Sequence, residues 1–466
     1  MIGPRQISRR ADGLVSGTSV SGVSSTQSYN NHGELRTLAY SWPGGGSFQQ
    51  VLDRDSLGRI VKVSETGISA HTYDYHYDAA GRLDSVAVDG SKTAGYTYDA
   101  NGNRVAYRGA SSADTASATY DAQDRMLRYG GTRYTYTANG ELARKVGISA
   151  DTTRYTYDAL GNLTGVHLPS GDTLVYVIDG ENRRVARRLN GSRSNTWLYQ
   201  SGLQVVAEVD SATGTLVNRY VYGTQRQVPD LLVRSDTTYR LITDQLGSVR
   251  AVVEVSGGTV VQRIDYDPWG VRTTDAAPTL QTLGYVGGLS DGAADLVRFG
   301  ARDYQAAVGR WTSKDSRLYT STRSECLYSY AYNEPVDFVD PDGTEPHFYP
   351  PSTWPVLPPD PVDCALRYAE VALVARQAEL RGLAAARAAP AWSQNAVRHR
   401  VAAHEIACRE GTIAAISAGI LWEAHTPLND PHDTVVDLVN DVLGALGCPA
   451  SGEAPQAPGS ETGERR

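Results

Sequence analysis

One short unit limits what this chain can fold into: Tyr-Asp, two variable residues, Gly, then Arg or Asn and an aliphatic residue. Full copies run Tyr77-Asp78 to Gly81-Arg82-Leu83, Tyr98-Asp99 to Gly102-Asn103-Arg104-Val105, and Tyr157-Asp158 to Gly161-Asn162-Leu163. Tyr120-Asp121 carries Asp124-Arg125-Met126 in place of the Gly step, and Tyr136-Thr137 leads to Gly140-Glu141-Leu142. Weaker copies are Tyr29-Asn30 with Gly33-Glu34-Leu35, Asp55 with Gly58-Arg59-Ile60, and Ile178-Asp179 with Asn182-Arg183-Arg184-Val185. From Tyr77 onward the units begin at 77, 98, 120, 136, 157 and 178, about one β-hairpin apart. Each residue type has a turn role. Tyr ends a strand, Asp accepts backbone N–H bonds, Gly supplies the positive φ that other residues resist, and the following pair starts the next strand. Repetition at this spacing means stacked hairpins, each burying its apolar surface on its neighbours.

Aromatic usage agrees. There are 28 Tyr and only 4 Phe, and Tyr suits strands whose rings are apolar while their hydroxyls stay polar. The expected fold is mainly β: an antiparallel shell of stacked hairpins, with a small helical segment at the C-terminal end. A net charge of -8 argues against general nucleic-acid binding, which needs a Lys/Arg excess. No apolar stretch follows the polar, basic start, so no signal peptide is visible. The longest apolar run, Thr412 to Trp422, is too short to span a bilayer. Cys326, Cys364, Cys408 and Cys448 have no C-x-x-C spacing, which disfavours a metal cluster, while Cys364 with Cys408 or Cys448 could form a disulfide. No cofactor or metal is expected.

Residues 240 to 343 carry a second set of motifs, in one order. They are Asp244-Gln245-Leu246-Gly247-Ser248-Val249-Arg250, Tyr266-Asp267-Pro268-Trp269-Gly270, and Ala301-Arg302-Asp303-Tyr304 followed by Gly309-Arg310-Trp311 and Asp315. Leu327-Tyr328-Ser329-Tyr330 then leads through Asn333-Glu334-Pro335-Val336 to Asp340-Pro341-Asp342-Gly343. Together with the YD units these motifs resemble the RHS/YD-repeat family and its RHS repeat-associated core. The resemblance implies a polymorphic-toxin or teneurin-like shell. It also implies an intramolecular aspartyl protease in which Asp315 and Asp340 act as the carboxylate pair, Arg302 assists, and the chain is cut near Thr344. Two carboxylates held close share a proton, so the pair could activate water and protonate the leaving amine. This chain departs from the family where Ser316-Arg317-Leu318 follows Asp315 and where Thr344 replaces the usual Leu.

The expected organisation is a YD-repeat shell over 1–196, the RHS core over 197–344, a Pro-rich linker over 345–362, a variable helical segment over 363–449 and a disordered tail over 450–466. From 345 to the end the sequence holds no Lys and five of the nine His, with no H-E-x-x-H pattern. The resemblance implies that it is an effector cargo, released by the cut. Its implied partners are an immunity protein and secretion machinery, and its implied place is secreted or cell-surface. Two alternatives are a non-catalytic structural or cell-surface YD-repeat protein and an incomplete RHS fragment with an open sheet.

Overall fold

The computed structural model describes residues 6–210, 213–225, 227–315 and 327–348. The expected linker beyond 348, the helical segment, the tail, all four cysteines and Ser316-Arg317-Leu318 lie outside the described residues.

Twenty-six strands between Gln6 and Asp275 form one sheet. Each pairs antiparallel with the strands just before and after it in the chain, so the sheet is a continuous meander. The strand Ser192–Tyr199 pairs on both sides and carries the sheet past the point where the regular motif lapses. The expected antiparallel β architecture is therefore what the chain adopts.

The YD turn shows why these residue types recur. In the Tyr77 copy, Asp78 N–H donates to Arg82 O at 2.9 Å and Gly81 N–H to Asp78 O at 3.0 Å. Asp78 Oδ1 accepts from the backbone of Ala80 and Arg82, and Oδ2 accepts from Arg82 Nε at 2.7 Å. Gly81 sits at φ +84, where only glycine is free of strain. The same Asp–Arg clasp closes at Asp55–Arg59, Asp121–Arg125 and Asp179–Arg183.

Tyrosine joins one repeat to the next. Tyr77 Oη donates to Ile60 O at 2.6 Å, Tyr98 Oη to Leu83 O at 2.7 Å, Tyr120 Oη to Arg104 O at 2.6 Å and Tyr199 Oη to Arg184 O at 2.9 Å. Phenylalanine would bury the same ring and leave that carbonyl unmet. The clasp arginines stack outward on these rings: Arg59 lies over Tyr77 and Arg82 over Tyr98, both at 4.7 Å.

The sheet curls back on itself, so that strands far apart in its order share an apolar layer. Tyr40 Oη meets Thr243 Oγ1 at 3.1 Å across 203 residues. Leu38, Phe48 and Val63 pack in one cluster with Ile242, Ala251 and Val253.

Residues 277–348 form a separate terminal core on this inner surface. Its four-stranded sheet (Leu289–Asp291, Leu296–Phe299, Arg302–Gln305 and Arg310–Trp311) surrounds a fully buried group of Tyr285, Phe299, Tyr304, Trp311 and Tyr330. Tyr304 and Tyr330 approach to 4.3 Å between ring centres. Ala294, Leu296 and Val308 of the core reach into the layer formed by Tyr134, Tyr155 and Leu163. Asp337 Oδ1 accepts from Arg54 Nη1 at 2.6 Å and its Oδ2 from the Ile60 N–H at 2.7 Å, so the core also grips the earliest repeats.

Candidate autoprocessing site

The candidate site lies where the last turn of the core, Asp340-Pro341-Asp342-Gly343, meets the corner between the strands Leu296–Phe299 and Arg302–Gln305. Ala301 N–H donates to Asp342 O at 2.8 Å. Gly300 and Gly343 stand back to back there, at φ +38 and +68. A Cβ on Gly300 would lie 2.3 Å from Asp342 O, and one on Gly343 would lie 2.4 Å from Phe299 O. Both positions require glycine because two backbones touch. After the turn the chain stays attached, since His347–Phe348 pairs antiparallel with Phe338–Val339. Residues 347 and 348, expected in the linker, are thus strand.

Arg302 organises the site. It is buried, with its guanidinium 4.2 Å over the Trp311 ring. Its Nη2 lies 2.9 Å from Asp315 Oδ2 and 3.1 Å from Asp340 Oδ2, so the three residues expected from the sequence converge on one nitrogen. Its Nε donates to Gly343 O at 2.6 Å. On the other side of the same peptide, Thr344 N–H donates to Asp340 Oδ1 at 2.9 Å, and Glu345 N–H donates to that oxygen at 3.1 Å. The Gly343–Thr344 peptide is therefore held at its carbonyl by a cation and at its nitrogen by a carboxyl group.

Asp340 is wholly buried, and burial is the main reason its carboxyl is pushed up to about 7. Arg302 opposes that rise, the nearby Asp342 reinforces it, and the Thr344 N–H opposes it. The carboxyl group that hydrogen-bonds Asp340 is Asp342, from the same turn. Burial also acts to raise Asp342, but hydrogen bonds from the Thr344 hydroxyl and from Asp340 outweigh it and hold Asp342 below the usual value. Thr344 Oγ1 donates to Asp342 Oδ1 at 2.7 Å, and Thr344 N–H reaches the same oxygen at 3.0 Å. One acid inclined to keep its proton thus hydrogen-bonds one inclined to lose it. Asp342 was not singled out from the sequence, although it occupies the variable position of the D-P-x-G motif.

Two turn aspartates of other core motifs also carry raised carboxyls. Asp244 and Asp267, each in a turn like those of the YD units, are pushed up to about 6, foremost by burial. Asp244 Oδ1 accepts from the backbone of Leu246 and Ser248, and Asp267 Oδ1 from Trp269 and Val271. Both tie turns together and lie outside the Arg302 cluster.

A serial antiparallel sheet of YD hairpins closed over an aromatic terminal core defines a YD-shell. Residues 4–336 match the family model described as Teneurin YD-shell, and the chain belongs to that family. Mouse Teneurin-4 is 27% identical over 322 residues, covering 67% of this chain and 11% of the relative. The tRNA3(Ser)-specific nuclease WapA of Bacillus spizizenii is 30% identical over 173 residues, covering 36% of this chain and 7% of the relative. The chain thus spans about a tenth of the length of the teneurins it matches. Among solved structures, a crystal structure of TcdB2-TccC3-Cdc42 superposes with a TM-score of 0.53 at 18% identity, over 74% of this chain and 19% of that one. A crystal structure of TcdB2-TccC3 without hypervariable C-terminal region gives 0.52 at 18% identity, over 72% and 19%. These two share the fold.

Proposed function

We propose that this chain is an RHS shell protein that encloses its own C-terminal segment as an effector and frees it by cutting itself at Gly343–Thr344. The observation that carries this reading is the double hold on that one peptide, Arg302 at the carbonyl and Asp340 at the nitrogen. A donor already aimed at a carbonyl oxygen stabilises the negative charge that develops there when the carbon is attacked. A carboxyl poised near neutrality beside the nitrogen can protonate the leaving amine. Asp315 holds Arg302 from its more exposed side. One TcdB2-TccC3 structure is named as lacking a hypervariable C-terminal region, and under this reading residues 345–466 hold the equivalent place in this chain. Under this reading the protein acts outside the cell or at its surface and needs export machinery and a neutralising partner for its effector.

The test is intact-mass analysis of the purified full chain under denaturing conditions. Two fragments meeting at Gly343 and Thr344, replaced by one full-length species in Asp340→Asn, support the reading. One full-length species in the unaltered chain rejects it.

A second reading has its own observation. Asp340 Oδ1 accepts two backbone N–H groups, much as the aspartates of the YD turns do. In that case the Arg302 cluster is a turn lock that pins the last strand, and the protein is a structural YD-shell. Among the described residues no helix is long and apolar enough to cross a membrane.

A further inference from the structure

We propose that the nucleophile of the cut is the hydroxyl of Thr344, which attacks the carbonyl carbon of Gly343 in an N-to-O acyl shift. This inference deepens the self-cleavage reading and rests on it.

Thr344, its turn and Arg302 together supply a nucleophile, a base, a donor for the carbonyl oxygen and an acid beside the nitrogen. Thr344 Oγ1 donates at 2.7 Å to Asp342 Oδ1, a carboxylate held in its charged form and so able to act as base. The hydroxyl and the carbonyl it would attack are joined through Cβ, Cα and N, so the ring formed has five members. A nucleophile fixed this way needs no ordered water and gains the large effective concentration of an intramolecular reaction. The Gly343 oxygen already accepts from Arg302 Nε at 2.6 Å, where charge accumulates in the tetrahedral intermediate. The Thr344 nitrogen lies 2.9 Å from Asp340 Oδ1.

The atoms balance without a co-reactant. The Oγ1–C bond forms while the hydroxyl proton passes to Asp342. Asp340, hydrogen-bonded to Asp342, gives a proton to the Thr344 nitrogen, and the C–N bond breaks. The proton lost by Asp340 is restored through that hydrogen bond. The product is an ester between the Gly343 acyl group and Thr344 Oγ1, with a free amine on Thr344. Water then hydrolyses the ester to a Gly343 carboxylate and the Thr344 hydroxyl.

Four full-length chains decide the matter: the unaltered protein, Thr344→Val, Thr344→Ser and Asp340→Asn, each incubated with and without hydroxylamine and read by intact mass. The expected results are cleavage of the unaltered chain and of Thr344→Ser, and loss of the fragment beginning at residue 344 in Thr344→Val. Hydroxylamine, which attacks esters, is expected to speed the cut and leave a hydroxamate on Gly343. A matching thermal melt for Thr344→Val shows that the loss is chemical. Cleavage of Thr344→Val at the same bond, with Asp340→Asn intact, overturns the inference and leaves the self-cleavage reading standing, with water as nucleophile. An unaltered chain that stays whole overturns both.

Discussion

Arg310 of the terminal core donates to the side-chain carbonyl of Asn103 at 3.0 Å, across 207 residues of chain. Its other nitrogen donates to Asp124 O at 2.6 Å. Arg298 makes the equivalent pair of contacts three units along, reaching Asn162 Oδ1 at 3.0 Å and Asn182 O at 3.1 Å. In both places the YD unit carries Asn where other copies carry the clasp Arg, and the next unit carries a non-glycine residue at positive φ, Asp124 at +58 and Asn182 at +60. The Asn amide nitrogen bonds that side chain, Asn103 to Asp124 and Asn162 to Asn182. Arginine copies satisfy themselves, whereas asparagine copies are sockets for the core.

Arg310→Met is therefore expected to cost about 2–3 kcal/mol, because it strands two acceptors in a buried site. Arg59→Met removes a partly exposed clasp and is expected to cost below about 1 kcal/mol. Urea midpoints at constant slope measure both, and equal shifts would contradict the socket assignment.

Tyrosine hydroxyls should separate in the same way. Tyr98→Phe loses the bond to Leu83 O and is expected to cost about 1 kcal/mol. The buried Tyr155 hydroxyl finds no hydrogen-bond partner among the described residues, so Tyr155→Phe is expected to be neutral or stabilising. Thermal melts of the two variants give the comparison.

Stability should fall as pH rises through about 7. Asp340 is raised by burial, so its contribution is complete below the unfolded carboxyl value, near 4, and is lost through the folded value of about 7. The slope in that window is at most about 1.4 kcal/mol per pH unit for one group. Asp340→Asn should flatten it, and the rate of self-cleavage should drop as pH rises through and beyond about 7 if Asp340 supplies the proton. At the acid end the signs reverse. Burial acts to raise Asp55, Asp78, Asp121 and Asp179, but their arginines and backbone N–H donors hold them low, so their contribution is lost as pH falls below about 4. Melting temperature against pH records both limbs.

Gly343→Ala should do more than strain one residue. Its Cβ would strike Phe299 O and the Arg302 N–H nitrogen, so the expected cost exceeds about 3 kcal/mol and the grip of Arg302 on the peptide is lost. Gly171→Ala, at φ +93 with open space around it, should cost only about 1–2 kcal/mol. Denaturation of both variants, with intact mass for the first, tests the difference.

The hairpin repeat and the ordered core motifs were legible in the sequence because turns are local. Tyr, Asp and Gly within five residues specify one turn, and their recurrence specifies the sheet. The convergence of Arg302, Asp315 and Asp340 was legible only through the family resemblance. The sockets were not legible at all. Asn103 and Asn162 look like tolerated variants of Arg until Arg310 and Arg298 are seen to fill them from 136 or more residues away. The tyrosine preference implies only that the hydroxyls stay polar, whereas those of Tyr77, Tyr98 and Tyr120 each meet a carbonyl 15 to 17 residues back, fixed by a register that no local pattern encodes. Asp342 was passed over because its motif position is variable. Its role comes from facing Asp340 and Thr344 inside one turn.

The strictly sequential pairing of the long sheet bears on how the protein is made. Each hairpin can be laid down as the chain emerges from the ribosome or from a translocation channel, with only a short loop to close at every step. The terminal core is different, since its contacts reach back as far as 283 residues and await the last-made part of the chain. A chain arrested before residue 277 would hold a finished sheet with its inner surface bare. Such nascent chains should bind hydrophobic dyes and chaperones, and completion of the core would end that vulnerable interval in a single late event.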